Sequence, residues 1–198
     1  MIKQEFDGLY SRFKLADLLA NKSTNQIKKL LKTFVCTKNT DVQDFLHNKA
    51  ITFERNLRSC TYLYTSNADK SVVAYITLGI KSLLTNDLSD EAIVFLDGYT
   101  NEILSIPCYL IAQLGKSDTC KEKIGKFLLD DALSIIDKSQ DSLKGRFVLI
   151  DSVNDDKVIN FYKANSFIAL ENDKSLKSIN RWSLCTHSKC RKCYQKWF

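Results

Sequence analysis

A polar loop between an apolar segment and a helical pattern contains the residues best suited to bind an anion. The loop runs from Gly115 to Gly125, and the apolar positions after it fit one face of a helix packed on a sheet. The amino end of a helix presents unpaired backbone N–H groups and the positive end of the helix dipole, which suits a pyrophosphate. Lys121, Lys123 and Lys126 add positive charge there. An ordinary strand–loop–helix crossover with solvated lysines has the same pattern, so this segment alone does not decide its function.

The carboxyl-terminal segment contains a second group of residues that could do chemistry. Cys185, His187, Cys190 and Cys193 are residue types that bind zinc, and the spacing of the last two is that of a zinc knuckle. Only two residues separate His187 from Cys190, however, and closing one tetrahedral site within nine residues is cramped. We therefore predict a reduced, basic tail over residues 185–198 without a metal, and zinc binding is the alternative.

Length, composition and charge indicate an ordinary soluble globular protein. A chain of 198 residues fits one domain and can bury a sizeable core. Lys and Arg outnumber Asp and Glu by 29 to 23, and the net charge of +6 suits an anionic ligand or RNA but equally suits a soluble surface. The sequence has no signal-peptide pattern and no apolar run that could span a membrane, so we expect a cytoplasmic protein. Its seven cysteines are then thiols or metal ligands rather than disulfides.

The apolar pattern predicts helices first and a mixed body after them. Residues 15–19 and 24–34 look helical, with Thr24 as the cap of the second helix, and another helix begins at Thr40 or Asp41. Aromatic and β-branched residues over 61–65 and 72–78, separated by a short polar stretch, predict a hairpin. Further strands are predicted over 108–114, 146–153 and 166–170, with helices over 124–138 and 155–164. The segment 83–103 is ambiguous.

Two segments, in this order, resemble the GNAT superfamily of N-acetyltransferases. Residues 106–133, IPCYLIAQLGKSDTCKEKIGKFLLDDAL, look like the GNAT segment in which the fourth core strand passes into a pyrophosphate loop of pattern Gln/Arg-x-x-Gly-x-Gly/Ala. Residues 150–167, IDSVNDDKVINFYKANSF, look like the GNAT element in which a strand ends near Asn, a helix carries Phe-Tyr, and Asn-Gly-Phe leads to the next strand. Residues 34–56 and the hairpin are similar to the subgroup that includes the acetyltransferase toxins of bacterial toxin–antitoxin modules. The resemblance covers roughly residues 34–171.

This resemblance implies an α/β (α+β) fold, a mixed twisted sheet with flanking helices. In it, 108–114 and 146–153 are neighbouring strands and a last strand lies near 179–185. The resemblance also divides the chain into an amino-terminal helical extension (1–33), a GNAT domain (34–184) and a Cys/His-rich basic tail (185–198). Three positions depart from the family pattern. Lys123 stands where the first loop glycine is expected, Cys120 where Gln or Arg is expected, and Ser166 where a glycine precedes Phe167. A Cβ at Lys123 could crowd a diphosphate if the loop keeps its usual shape.

Acetyl transfer to an amine needs a neutral amine, a polarised thioester carbonyl and a proton for the departing thiolate. By resemblance Tyr162 is the general acid, and a phenol with a pKa near ~10 can protonate a thiolate whose conjugate acid has a pKa near ~8.5. Helical spacing pairs Val158 with Phe161 on the core side and turns Tyr162 partly away. No general base stands out, since His47 lies in a helix and His187 in the tail. The resemblance implies contacts to acetyl-CoA, the co-substrate, from Gln113, Leu114, Gly115, Lys116, Lys121, Lys123, Ile124, Gly125, Lys126, Asn154 and Asn160.

The function predicted from the sequence is therefore an acetyl-CoA-dependent N-acetyltransferase that needs no metal. Its acceptor is the amine of an aminoacyl-tRNA, a protein or a small molecule, and an antitoxin protein and a second copy of the chain are candidate partners. The alternative is a non-catalytic nucleic-acid-binding or interaction module on a GNAT-like fold, because a fold does not guarantee a function. The basic balance, the Cys/His tail and the altered loop motif favour this alternative.

Overall fold

The structure, a computed structural model, describes residues 3–86, 88–170 and 179–185. Its strands are β1 (Tyr10–Lys14), β2 (Cys60–Ser66), β3 (Val72–Leu84), β4 (Ser105–Lys116), β5 (Phe147–Val153), β6 (Ile168–Ala169) and β7 (Ile179–Cys185). They form one seven-stranded sheet in the order β1-β2-β3-β4-β5-β7-β6. The helices are α1 (Lys3–Leu9), α2 (Leu15–Asn21), α3 (Thr24–Leu31), α4 (Thr40–Asp44), α5 (Ala50–Arg55), α6 (Asp90–Asp97), α7 (Gly125–Ser139) and α8 (Asp156–Ala164). A π-helical segment, Phe45–Lys49, joins α4 to α5.

The sheet is mixed, as predicted. β4 and β5 pair in parallel, with Tyr109, Leu110 and Ile111 opposite Val148, Leu149 and Ile150. The pairs β1–β2, β2–β3, β5–β7 and β6–β7 are antiparallel. The neighbouring positions of 108–114 and 146–153, the predicted hairpin and the last strand near 179–185 are therefore confirmed.

The chain divides into two compact units, and the first consists of Met1–Gly79 and Ala112–Ile135. Its core joins residues from α2, α3, the segment after α3, the π-helical segment, α5 and the hairpin. The fully buried ones include Leu15, Ile27, Leu31, Phe34, Leu46 and Leu63. α3 begins with a capping box in which Ser23 accepts a bond from the Gln26 amide. The predicted cap at Thr24 is therefore wrong by one residue. The segment predicted as a helical extension also supplies the strand β1.

The second unit consists of Ile80–Ile111 and Ile136–Phe198. Its core packs α6 on β3, β4 and β5 through Leu83, Ile93, Leu96, Ile106, Cys108, Phe147 and Leu149. The ambiguous segment 83–103 thus contains the end of β3 and the helix α6, whose amino end is capped by Ser89. Among the described residues no helix is long and apolar enough to cross a membrane. Four of the cysteines are free thiols: Cys36, Cys60, Cys108 and Cys120.

Candidate functional site

The 117–124 loop, which joins β4 to α7, is fixed at its first two residues by the segment after α3. Ser117 is fully buried, and its Oγ donates to the Val35 carbonyl at 3.1 Å and accepts from the Val35 amide at 3.3 Å. The Asp118 amide also donates to the Val35 carbonyl, and its carboxylate accepts the amide and the hydroxyl of Thr37, each at 2.7 Å. These bonds from Thr37 hold the pKa of Asp118 below its usual value. The start of the loop therefore has little freedom to move.

The strand β1 holds the later part of the same loop. The Tyr10 hydroxyl donates to a Glu122 carboxylate oxygen at 2.8 Å, and this bond lowers the pKa of the Glu122 carboxyl. Cys120 is buried beside the same hydroxyl, with its Sγ at 3.6 Å, and burial raises the pKa of the thiol. This contact was not predicted from the sequence, because Tyr10 lies in a short segment without a recognisable pattern and more than a hundred residues before Glu122.

The side chain of Lys116, the last residue of β4, binds the backbone of the loop that follows it. Its Nζ donates to the backbone carbonyls of Cys120, at 2.7 Å, and of Glu122, at 3.2 Å. The Glu122 carbonyl also accepts the Ile124 amide at 3.1 Å. Two of the carbonyls in the loop are therefore occupied by one lysine side chain.

The amino end of α7 offers backbone N–H groups to a ligand. The Ile124 carbonyl accepts the first bond of the helix, from Leu128, so the amides of Gly125, Lys126 and Phe127 have no partner inside the helix. Ile124 has no side-chain acceptor, and the first turn of α7 contains no acidic residue. Within the described ranges no acceptor lies against the amides of Lys121 and Lys123 either. Five amides at the positive end of a fifteen-residue helix are thus available to an anion.

The predicted lysines differ in their surroundings. Lys121 and Lys123 are exposed, and Lys126 is exposed and pairs with Asp130 one turn along α7. Ile124 is fully buried, so its side chain belongs to the core and only its backbone can face a ligand.

The end of β4 is shaped by packing inside the first unit. Gln113 and Leu114 are half-buried, and the Gln113 Oε1 accepts a 3.5 Å bond from the Tyr75 hydroxyl. Gly115 is buried, and a Cβ there would lie 2.6 Å from a Val42 methyl group and 2.7 Å from the Tyr75 ring. A glycine is needed at this position for packing, whether or not a ligand approaches its backbone.

Tyr162 lies on α8 in the second unit and is buried, at 6% exposure. Its ring contacts those of Phe161 and Phe167 edge-on, with centroids 5.3 Å and 5.6 Å apart, and burial raises its pKa to about 12. Val158 and Phe161 are only half-buried. The expectation that α8 turns Tyr162 away from the core is therefore wrong: α8 buries this ring more deeply than its neighbours, because the chain after α8 folds Phe167 back onto it.

The two predicted asparagines are exposed: Asn154 lies just before α8, and Asn160 lies within it. Asp155, between them, caps α8 by accepting the amides of Lys157 and Val158 at 2.9 and 3.2 Å. Because carboxylates already occupy the amino end of α8, this helix does not offer the anion site that α7 offers.

Comparison with known proteins identifies the architecture. No family model matches the sequence, and no curated protein matches it either. Several solved structures, however, match this chain over most of its length. AtaT complexed with acetyl-methionyl-tRNAfMet is 18% identical with a TM-score of 0.68, and the match covers 93% of this chain and 98% of that one. A KacT variant with a tyrosine replaced by phenylalanine is 14% identical with a TM-score of 0.68, over 90% and 95% of the two chains. An AtaT variant with the same kind of change, bound to acetyl-CoA and the carboxyl terminus of the antitoxin AtaR, is 16% identical with a TM-score of 0.67, over 94% and 99%.

The chain has the fold of the GNAT acetyltransferase toxins. Ser166 lies just after α8 in a left-handed backbone conformation, with φ at 66°. Its amide donates to the Lys163 carbonyl, and the Phe167 amide donates to the Tyr162 carbonyl. These bonds form a Schellman motif, in which glycine is the usual residue at the left-handed position. Ser166 therefore adopts the conformation of the glycine that the GNAT pattern has there.

The remaining candidate residues, and one ion pair that the sequence did not predict, have other surroundings. His47 lies in the π-helical segment, where its Nε2 is 3.0 Å from the Phe34 carbonyl oxygen. The ion pair of Lys81 and Asp151, at 2.7 Å across the second unit, was not predicted. The parts of the chain that the structure describes contain no cluster of three His, Cys, Asp or Glu residues able to hold a metal. The zinc-like residues His187, Cys190 and Cys193 lie outside the described residues.

Proposed function

We propose that this chain is an acetyl-CoA-dependent N-acetyltransferase of the toxin type, which transfers the acetyl group to the amine of an aminoacyl-tRNA. The observation that carries the proposal is the extent of the similarity: the chain matches acetyltransferase toxins over at least nine-tenths of both chains. These neighbours include AtaT bound to acetyl-CoA and AtaT complexed with acetyl-methionyl-tRNAfMet. Because the identities are below a fifth, the chemistry rests on this chain's own residues.

The proposed seat for the pyrophosphate of acetyl-CoA is the amino end of α7 with the loop before it. The amides of Lys121, Lys123, Gly125, Lys126 and Phe127 supply donors, and the helix dipole and exposed lysine charges attract the anion. The proposed contacts to the pantetheine arm are the β4 backbone over 113–116 and the side chains of Asn154 and Asn160.

Tyr162 is the proposed general acid. The amine nitrogen attacks the thioester carbon, the carbon–sulfur bond breaks, the thiolate takes a proton from the phenol, and the amine loses one to solvent. With its pKa raised to about 12, Tyr162 is fully protonated at neutral pH. A free thiolate with a conjugate-acid pKa of ~8.5 would be a poor acceptor for that proton. Burial raises the pKa of a thiol as well, however, so a sulfur held in the same apolar surroundings is better matched to the phenol.

The acceptor is proposed to be a charged tRNA rather than a protein or small molecule. The net charge of +6 favours association with a polyanion. An antitoxin protein is the proposed partner, because the AtaT neighbour is bound to the carboxyl terminus of one.

Incubation with labelled acetyl-CoA and a cell extract, followed by separation into RNA, protein and small molecules, tests this function. We expect label in the RNA fraction, lost on mild alkaline treatment that hydrolyses aminoacyl esters. Label in protein or small molecules would move the acceptor to that class. No acetyl transfer to any fraction, with acetyl-CoA failing to stabilise the fold, would favour the non-catalytic binding module.

A further inference from the structure

Lys116 has a role in the 117–124 loop that the sequence pattern does not suggest. We propose that the Lys116 side chain is a positioning residue, which orients the amides of Lys121 and Lys123 toward the phosphates of acetyl-CoA. The inference rests on the proposed function, because it concerns how the pyrophosphate seat is built. It also explains how the loop functions with a lysine at 123 in place of the expected glycine.

The geometry of the peptide bond carries the inference. In a planar trans peptide the carbonyl and the following N–H point in opposite directions, and the described part of the chain contains no cis peptide. Lys116 Nζ binds the carbonyls of Cys120 and Glu122. These carbonyls share their peptide planes with the amides of Lys121 and Lys123. Both amides must therefore point away from the ammonium group, on the opposite side of the loop.

Most other amides of the loop have acceptors within the protein. The Glu122 amide interacts with the carboxylate of its own residue. The other amides that donate to protein acceptors are those of Ser117, Asp118, Thr119, Cys120 and Ile124. The amides of Lys121 and Lys123 lie immediately before the amides of α7 that have no partner inside the helix. The two bonds from Lys116 thus extend the anion site at the amino end of α7 back into the loop.

The acidic residues of the loop do not compete for the Lys116 ammonium. The Glu122 carboxylate accepts the Tyr10 hydroxyl on β1, and the Asp118 carboxylate accepts two bonds from Thr37. Lys116 is half-buried, and its ammonium group donates to two carbonyl oxygens. A positively charged donor binds carbonyls more strongly than a neutral one, which suits the side chain to a structural clamp.

The test compares the affinities for CoA and for pantetheine, which lacks the nucleotide and its phosphates. The dissociation constant of pantetheine divided by that of CoA measures what the nucleotide and its phosphates contribute together. In Lys116→Met this ratio should fall about tenfold or more, because the two clamped amides lose their orientation. Lys116→Arg, which can still donate to two carbonyls, should keep most of the ratio. Lys138→Met, an exposed lysine in the last turn of α7, is the matched control and should keep all of it.

Salt separates positioning from simple charge. Lys121→Met removes a charge from the same loop, and its loss of CoA affinity should largely disappear at about 0.5 M NaCl because exposed charges are screened. The loss in Lys116→Met should persist at that salt concentration. A Lys116→Met loss that disappears with salt would overturn the positioning role.

A second measurement covers the case in which Lys116→Met does not fold. In wild-type protein titrated with inorganic pyrophosphate, NMR should show the Lys121 and Lys123 amide resonances shifting, while that of Cys120 stays. Shifts at Cys120 instead would contradict the inference. The proposed function fails separately: wild-type protein that binds CoA no tighter than pantetheine has no phosphate site. A wild-type preference that Lys116→Met retains would remove only the role of Lys116.

Discussion

At the scale of single residues, Tyr162 combines a structural and a proposed chemical role. Its ring is the hydrophobic contact of the Schellman motif with Phe167, and its carbonyl accepts the Phe167 amide. The hydroxyl is therefore the part of the side chain that can be removed while the packing is kept. The neighbours KacT and AtaT have both been studied with one tyrosine changed to phenylalanine.

Tyr162→Phe should lower kcat by roughly 10²-fold or more while leaving the affinity for acetyl-CoA nearly unchanged. Steady-state kinetics and calorimetric titration measure the two effects, and thermal melting shows whether the fold is intact. A variant with unchanged turnover would remove Tyr162 from the mechanism, and one with a much lower melting temperature would make the hydroxyl structural.

The pH dependence of kcat/KM follows from the same residue. The rate should rise as the acceptor amine loses its proton, roughly near pH 8 for an α-amine. Because the pKa of Tyr162 is raised to about 12, the acid form persists, and its ionisation should cause no fall in rate between about pH 8 and 10. A descending limb centred near pH 9 that is absent in Tyr162→Phe would contradict this.

Ser166 makes a different prediction, about stability. A left-handed conformation costs a non-glycine residue roughly 1–2 kcal/mol. Glycine avoids that cost, but it loses more conformational freedom on folding, which costs about 0.5–1 kcal/mol. Ser166→Gly should therefore raise the free energy of unfolding by up to about 1 kcal/mol. Ser142→Gly, in an exposed turn without a positive φ, is the control and should lower it. Denaturant melts of both variants give the comparison, and destabilisation by Ser166→Gly would exclude strain at this position.

At the scale of elements, the order of strands and helices was predictable where the pattern was long and regular. The hairpin has β-branched and aromatic residues around a polar turn, and α7 has an apolar stripe along its fifteen residues. β1 was not predictable, since five residues including Arg12 and Lys14 show no strand pattern and are held by pairing with β2. The π-helical segment and the end of β3 depend on tertiary packing in the same way.

The site was predictable only as a set of segments. The start of the helix near Gly125 follows from the sequence, whereas the bonds that shape the loop before it do not. Lys116 reaches the loop from the end of β4. Tyr10 reaches it from a strand more than a hundred residues away, and Thr37 from the segment after α3. No spacing rule relates such residues, because the fold alone brings them together.

α8 carries Tyr162, and its cap gives a prediction at this scale. Asp155→Ala removes the acceptor for two amides and should lower the free energy of unfolding by about 1 kcal/mol. Asp156→Ala removes only a charge from the first turn and should cost less, about 0.3–1 kcal/mol. Equal losses in urea melts would mean that the cap bonds contribute nothing beyond charge.

At the scale of the whole molecule, the boundary predicted at residue 33 remains a prediction, but the first residues are built into the first unit. β1 pairs with β2 along its whole length, and Phe6 stacks on Phe127 of α7 with centroids 5.2 Å apart. Leu15 is fully buried in the same unit. The amino-terminal segment therefore contributes to the core and to the anchoring of the 117–124 loop.

Deletion of residues 1–14 should abolish a cooperative thermal transition or lower its midpoint strongly. The deletion exposes the edge of β2 and the ring of Phe127. Tyr10→Phe, which loses only the hydroxyl and its contacts with Glu122 and Cys120, is the matched variant and should cost about 1 kcal/mol. Circular dichroism melts distinguish the two, and a truncated chain that melts like the full one would make the segment a dispensable extension.

The central claim is that this molecule moves an acetyl group from acetyl-CoA to the amine of a charged tRNA. The most direct test is a single-turnover reaction of purified protein with labelled acetyl-CoA and either aminoacylated or deacylated tRNA. Mass spectrometry of the amino acid released by mild base then locates the acetyl group. We predict acetylation of the α-amine with charged tRNA, none with deacylated tRNA, and a rate reduced roughly 10²-fold in Tyr162→Phe. Unmodified amino acid after incubation with wild-type protein that binds acetyl-CoA, across a panel of charged tRNAs, would contradict the claim.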